Sequence, residues 1–345
     1  MTPYTITLQA DQTTFTCQEH ETLLQAALRQ GLNLPHSCQS GTCKQCQAHI
    51  ISGTIQHHDA AQHTLSATEI EQGQALLCCC QARSDIVLHI AGYNGAHFPP
   101  VKTLPARIKH IQYHNHTAIL TLALPKMPPF TFLAGQYIDI LLKDGQSRSY
   151  SIANSPHHTS SLELHIRQRD NGLFSQMLFG ATATLQEKTI LRIRGPLGSF
   201  VLNNPQNQPL ILLATGTGFA PIQSLLHQLI EQAASYPVHL YWGARYPTDF
   251  YALNTATTLI AQLPHAQFTP VLSRPDTTWQ GATGYITEHV LHDYPDLSAH
   301  QVYACGNTAM ILDAQRLLCE QGLLAEHFFA DAFSPAISAS SENKD

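Results

Sequence analysis

Cys38-Gln-Ser-Gly-Thr-Cys43-Lys-Gln-Cys46 is a C-x4-C-x2-C run, and about thirty residues later comes a further cysteine, one of Cys78, Cys79 and Cys80. This spacing suits four thiolates gathered around the two irons of a [2Fe–2S] cluster. A tight loop supplies three of them, and Gly41 lets the backbone turn closely so that its amides face the sulfides. Two rival readings are buried thiols at accidental spacing and a zinc site, but zinc favours paired C-x2-C elements. The chain holds nine cysteines and reads as cytosolic, so metal binding or catalysis ranks ahead of disulfides.

Two other stretches carry groups suited to redox cofactors. Arg148-Ser149-Tyr150-Ser151 offers a permanently charged planar fork for a pyrophosphate, a ring to pack on a flavin and hydroxyls to reach its polar atoms. Four residues alone also fit an exposed strand end, but companions follow. Leu164-His165-Ile166-Arg167 lies in the next strand, and Gly172-Leu-Phe-Ser175 opens a helix whose N-terminus favours phosphate. Farther on, Leu210 to Pro221 is a buried strand, a glycine turn (Gly216-Thr217-Gly218) and a helix, so the backbone can approach a dinucleotide pyrophosphate. It lacks a full G-x-G-x-x-G.

These groups need scaffolds. The 345 residues suffice for two to three domains. Over 1–93, short alternating strands (Tyr4–Leu8, Phe15–Cys17) precede a helix around 21–30 stopped by Gly31. Breaker-rich 94–102 reads as a linker. Over 103–205, strand-like runs at 118–124, 136–142, 149–152, 162–167 and 190–194 suggest an antiparallel barrel. From 206 to 333 strands alternate with helices, as in a parallel α/β sheet: 210–214, 238–242, 267–272 and 301–304 are its strands. The polar tail 334–345 is expected to be disordered.

Composition narrows the function. The net charge is −6, with seven acids against three bases in 1–93, which argues against a nucleic-acid partner. No apolar run is long enough to span a bilayer, and the first residues alternate like a strand rather than a signal peptide, so neither membrane nor export is expected. The acidic N-terminal segment suits steering of a basic partner and equally suits a solvated surface. The 21 histidines are scattered, with pairs such as His57-His58 and His157-His158 in loop-like sequence. Cys17 and Cys319 read as core thiols.

The first 93 residues resemble the plant-type ferredoxins, which implies a β-grasp fold. The family usually has glycine after the second loop cysteine, where this chain has Lys44. Two family reference points select the fourth ligand: Gly73 lies five residues before Cys78, and Asp85 lies seven after it. Cys80 is the rival, because Cys80-Gln-Ala-Arg reproduces a common family tetrapeptide, and Cys79 stands third. From Arg148 to Phe200 the chain resembles the ferredoxin–NAD(P)H reductase superfamily, which implies an FAD-binding β-barrel ending in the turn Gly195-Pro-Leu-Gly-Ser-Phe200. The form T-G-T-G-x-A-P at 215–221 is similar to the same superfamily's Rossmann-like NAD-binding domain. The resemblance implies that Cys305-Gly306 sits beside the nicotinamide and that Phe333 covers the flavin where nicotinamide enters.

The order implies a chain of transfers from NADH to FAD to [2Fe–2S] to an electron-acceptor protein. It resembles the reductases of multicomponent oxygenases and the CDP-6-deoxy-3,4-glucoseen reductases. A free-flavin or quinone reductase and a non-catalytic redox sensor are the alternatives. NADH is expected over NADPH, because Arg245-Tyr-Pro-Thr-Asp249 carries one cation and one acid, although Ser273-Arg274 also suits a phosphate.

Overall fold

The computed structural model describes every residue except 1–2, 37–38, 63, 92, 94–97, 171, 181–182, 205 and 334–345. Part of the expected linker and all of the expected tail therefore lie outside the described residues.

Three large sheets and a two-stranded pair organise the described residues, and the fold expected for each of the three domains is borne out. The first is mixed, with strands in the order Thr14–Cys17, Tyr4–Leu8, Ile86–His89, Gln47–Ser52 and Gln74–Leu76. Tyr4–Leu8 pairs parallel with Ile86–His89, while the other pairs are antiparallel. The helix Leu23–Arg29 covers this sheet with Leu23, Leu24, Ala26 and Ala27. It begins at a capping box formed by Thr22 and Gln25, a device worth about 1 kcal/mol. This is the β-grasp arrangement.

The second sheet is wholly antiparallel: Ser147–Ser151, Tyr137–Leu141, Ile190–Leu197, Lys102–His114, Thr117–Ala123 and Ser161–Arg167. A bridge from Ile152 to Leu164 joins its two outer strands and closes the barrel. Its longest strand, the thirteen-residue Lys102–His114, has no counterpart in the sequence reading. Beyond Ile108 its outward positions are exposed and its apolar alternation fades, so the periodic signal is weak there.

The third sheet is parallel, in the order Ala282–Thr283, Ala266–Leu272, Val238–Ala244, Leu210–Thr215, Gln301–Asn307 and Phe328–Phe333. Order reverses between Leu210–Thr215 and Gln301–Asn307, where open α/β sheets bind ligands at the carboxyl ends of their strands. Leu210, Ile211, Leu212, Leu213 and Ala214 are all buried, as a strand covered on both faces requires. The helix Phe219–Glu231 includes Pro221 as its third residue, still within the first turn, where the missing N–H is tolerated.

Candidate functional site

The cluster loop is anchored on the β-grasp sheet and on the barrel. Cys46 is buried just before the strand Gln47–Ser52, and Cys78 lies in a single 3-10 turn, Leu77–Cys79. Their Sγ atoms are 3.3 Å apart. With metal–sulfur bonds of about 2.3 Å, two thiolates on one tetrahedral metal stand roughly 3.8 Å apart, so this pair fits a shared iron. Cys79 Sγ is 3.5 Å from Cys78, while Cys80 begins the strand Cys80–Ala82 and is fully buried. Cys43 is half-buried, and Cys38 lies outside the described residues. Among the described residues no three His, Cys, Asp or Glu side chains could hold a single ion. A two-iron cluster divides its four thiolates into pairs, and the Cys46–Cys78 spacing suits one such pair.

Lys44 departs from the family glycine yet keeps glycine's conformation. Its φ is +57°, and its ammonium is 2.8 Å from Glu69 Oε1. A left-handed non-glycine residue costs on the order of 1 kcal/mol, which an exposed ion pair only partly offsets.

On the barrel, alternation sorts the flavin residues. Ser149 Oγ donates to Asp139 at 2.7 Å, and Asp139 also pairs with Arg194 at 2.6 Å. Tyr150 faces the other way, with its ring 5.4 Å from Phe174 in the short helix Leu173–Leu178. Burial pushes its phenol above the usual range, so it stays an O–H donor. Arg148 is held by Ser147 O and Gln146 at the strand entrance. Three of the expected flavin residues turn their side chains to protein partners. Ile166 is fully buried in the barrel core, and His165 faces the nucleotide-binding unit. Ser175 Oγ is spent on Arg169 and Gly172 of its own loop, where a Cβ on Gly172 would stand 2.5 Å from that oxygen. Strand alternation and loop closure decide these positions, not residue type.

At the parallel sheet, the turn Gly216–Gly218 leads into the helix Phe219–Glu231. A Cβ on Gly218 would stand 2.2 Å from Cys305 O, so only glycine allows this approach. Thr217 is half-buried between the two glycines. Gly306 is equally confined, since its added Cβ would meet Thr215 Oγ1. Trp242 donates its indole N–H to Gly216 O at 3.1 Å. Arg167 reaches this turn from the barrel, with its Nη1 3.3 Å from where a Cβ on Gly216 would lie.

The flavin strand and the nicotinamide strand meet on Asp331, which the sequence reading did not single out. Ser151 Oγ is 3.4 Å from Asp331 Oδ2, and Cys305 Sγ is 3.9 Å from the same oxygen. Burial pushes the Cys305 thiol well up, and the Asp331 carboxylate adds to that, so the sulfur stays protonated. An acid amid aromatics in the final strand was the available signal. Its partners depend on register: Cys305 pairs with Asp331, and Asn307 with Phe333. Phe333 is half-buried and packs against the nucleotide-binding core.

The cluster loop docks behind the flavin strand. Gln39 Nε2 donates to the Tyr137 hydroxyl at 2.5 Å, and Tyr137 sits directly opposite Ser151. His36 N–H donates to Ser199 Oγ at 3.0 Å, and the His36 ring meets Tyr137 edge-on at 5.9 Å. Cys43 packs against the core that contains Ala332.

Comparison with known families agrees along the chain. The 2Fe-2S iron-sulfur cluster binding domain matches residues 6–83, the oxidoreductase FAD-binding domain matches 107–202, and the oxidoreductase NAD-binding domain matches 212–316. The CDP-6-deoxy-L-threo-D-glycero-4-hexulose-3-dehydrase reductase of Yersinia pestis is 40% identical over 93% of this chain and 96% of its own length. The chain belongs to the ferredoxin–NAD(P)H reductase superfamily. Within it, this reductase has the three-part form with an N-terminal ferredoxin. The phenol hydroxylase P5 protein of Acinetobacter pittii is 30% identical over 96% of this chain and 95% of its own length. Among solved structures, the Amycolatopsis cytochrome P450 reductase GcoB superposes with a TM-score of 0.83 at 28% identity, covering 97% of this chain and all of that one. The reductase is an oxidoreductase that takes a [2Fe–2S] cluster, FAD and a nicotinamide dinucleotide.

Proposed function

We propose that this reductase draws electrons from NADH and delivers them to a separate acceptor protein of the CDP-hexulose dehydrase kind. The observation that carries the transfer chemistry is the meeting of Ser151 and Cys305 on Asp331, which puts a flavin strand and a nicotinamide strand within one hydrogen-bonded group. The acceptor class rests on the Yersinia relative, named for such a dehydrase and 40% identical. An oxygenase component is the second reading, favoured by relatives such as the phenol hydroxylase P5 protein.

When bound, NADH supplies a hydride, FAD takes two electrons and releases them singly, and the cluster carries one at a time. The protein's part is placement. Amides of the turn Gly216–Gly218 and the start of the helix Phe219–Glu231 receive the dinucleotide pyrophosphate. The neutral Cys305 thiol shapes the nicotinamide pocket, and Asp331 holds it in register with Ser151. Arg148 binds the flavin pyrophosphate, and Tyr150 packs on the flavin ring. Cys38, Cys43, Cys46 and Cys78 hold the cluster, and the 3.3 Å Cys46–Cys78 contact supports the choice of Cys78. The docked cluster loop shortens the path out of the flavin strand. Among the described residues no helix is long and apolar enough to cross a membrane, and a cytosolic location is part of this proposal.

Mixing the purified protein anaerobically with NADH tests the reading: flavin and cluster absorbance should bleach within the turnover time. Reduction of the dehydrase, and not merely of free flavin or quinone, separates the reading from a free-flavin reductase. Flavin and cluster bands that persist under NADH would leave a redox sensor.

A further inference from the structure

The strand Ser161–Arg167 reads Ser-Leu-Glu-Leu-His-Ile-Arg, and its period of two divides it between two units. Leu162, Leu164 and Ile166 are fully buried in the barrel core. Glu163, His165 and Arg167 point the other way, and each ends on the nucleotide-binding unit. Glu163 Oε1 accepts from Gln223 Nε2 at 2.8 Å, His165 Nδ1 is 2.7 Å from the Tyr251 hydroxyl, and Arg167 reaches Asp249 Oδ1 at 3.3 Å. His165 is the middle rung. Its side chain is wholly shielded from solvent, and its Nε2 lies 3.0 Å from Glu163 Oε1.

Protonation follows from the neighbours. Burial pushes the Tyr251 phenol well up, so it stays an O–H donor. Burial also acts to raise the Glu163 pKa, but hydrogen bonds from His165 and Gln223 outweigh it and hold the group a carboxylate. In the tautomer that satisfies both contacts, Tyr251 donates to Nδ1 and Nε2–H donates to Glu163, while Gln223 donates to the same carboxylate. The chain of bonds runs from one unit to the other and back with every member satisfied, and a buried network of this kind tolerates little rotation. Behind it Phe219 stacks on Trp242 at 4.2 Å, Tyr251 meets the same indole edge-on at 5.5 Å, and Trp242 holds Gly216 O. The seam is thus mechanically continuous with the glycine turn.

We propose that His165 is a positioning residue rather than a flavin contact: its bridge between Tyr251 and Glu163 sets the angle at which the nucleotide-binding unit sits on the barrel, and with it the approach of nicotinamide to flavin. The inference rests on the reading that hydride crosses between these two units. A misplacement of about 1 Å can cost on the order of 100-fold in rate, so a loosened seam registers in hydride transfer before it registers in binding.

The test uses holoprotein with His165→Leu, His165→Gln, Tyr251→Phe and the double variant of Leu and Phe. Glutamine can accept from Tyr251 and donate to Glu163, so it should restore most of the function. In stopped flow, NADH should reduce the flavin about tenfold or more slowly in His165→Leu and Tyr251→Phe, with KM for NADH within about twofold of wild type. FAD content and cluster absorbance should be unchanged, and the double variant should be no slower than the slower single one. Amide hydrogen exchange should quicken along 161–167 and 219–231 in His165→Leu. Loss of FAD from His165→Leu would make the residue a flavin contact and overturn the inference, as would unchanged reduction and exchange rates. If wild-type flavin were not reduced by NADH, the functional reading would fail separately. Exchange alone would then judge the seam, with unchanged protection counting against it.

Discussion

At the scale of single residues, three adjacent cysteines show how little chemical type decides. Cys78, Cys79 and Cys80 are equal as ligands, but their side chains have different surroundings. Cys78 stands 3.3 Å from Cys46, whereas Cys80 is fully buried within the two-stranded pair, opposite His57. Cys78→Ser should lose or markedly perturb the cluster while FAD remains, as measured by iron content and visible absorbance. Cluster loss confined to Cys80→Ser would reverse the assignment. Cys305 gives a second prediction at this scale. Its thiol is neutral and faces Asp331, so Cys305→Ala should slow flavin reduction by NADH while leaving FAD and cluster spectra intact. An unchanged stopped-flow rate would reduce it to packing.

At the scale of elements, the strand Val238–Ala244 buries a histidine that should make the nucleotide-binding unit acid-sensitive. His239 is 5% exposed, stacks on Tyr241 at 4.0 Å and bonds Tyr294 and Thr269 through its two nitrogens. Burial holds its pKa down to about 4, against an opposing pull from Asp293. The unfolded chain takes up this proton near pH 6.5, whereas the folded chain resists until about pH 4. Stability from this group is therefore complete above about pH 6.5 and is lost as pH falls toward 4, by up to about 3 kcal/mol. His239→Gln removes the titration, so its Tm should fall less between pH 7 and pH 4.5 than that of wild type. Equal losses in the two proteins would sink the prediction. The same strand and its neighbour end at the corner expected to take the adenosine ribose, where Arg274 N–H donates to Arg245 O at 2.9 Å and Arg274 Nη1 lies 3.4 Å from the Tyr246 hydroxyl. The sequence offered Arg245 and Arg274 in separate segments, and the fold brings the two together. NADH should still give the higher kcat/KM, and Arg274→Ala should lower NADPH use more than NADH use. A higher kcat/KM with NADPH would overturn the preference.

At the scale of the whole molecule, the three units are arranged as a relay. The cluster loop touches the strand opposite Ser151 through Gln39 and Tyr137, and Cys43 packs against the core of the nucleotide-binding unit. The flavin barrel and the nucleotide-binding unit are bound in turn by the outward face of Ser161–Arg167. Electrons delivered by NADH should therefore reach the cluster within one molecule. Single-turnover cluster bleaching should show the same rate constant when protein concentration is varied about tenfold. A rate that rises with concentration would indicate transfer between molecules instead.

Much of this was legible in the residues themselves, because local chemistry imposes local spacing. The iron-sulfur domain is announced by a C-x4-C-x2-C run, and the dinucleotide-binding domain by a strand, glycine turn and helix over 210–221. Buried parallel strands require unbroken apolar runs such as Leu210–Ala214, and alternation marks the barrel strands. What the linear order does not contain is which outward side chains meet across units. Asp331 joins Ser151 only because Phe328–Phe333 pairs in one register with Gln301–Asn307. The His165 side chain meets Tyr251 because a strand presents alternate residues to opposite sides, and only docking of the third sheet determines what lies there. Periodicity and motif are properties of a segment, whereas these contacts join residues up to 180 positions apart and exist only once the units are packed.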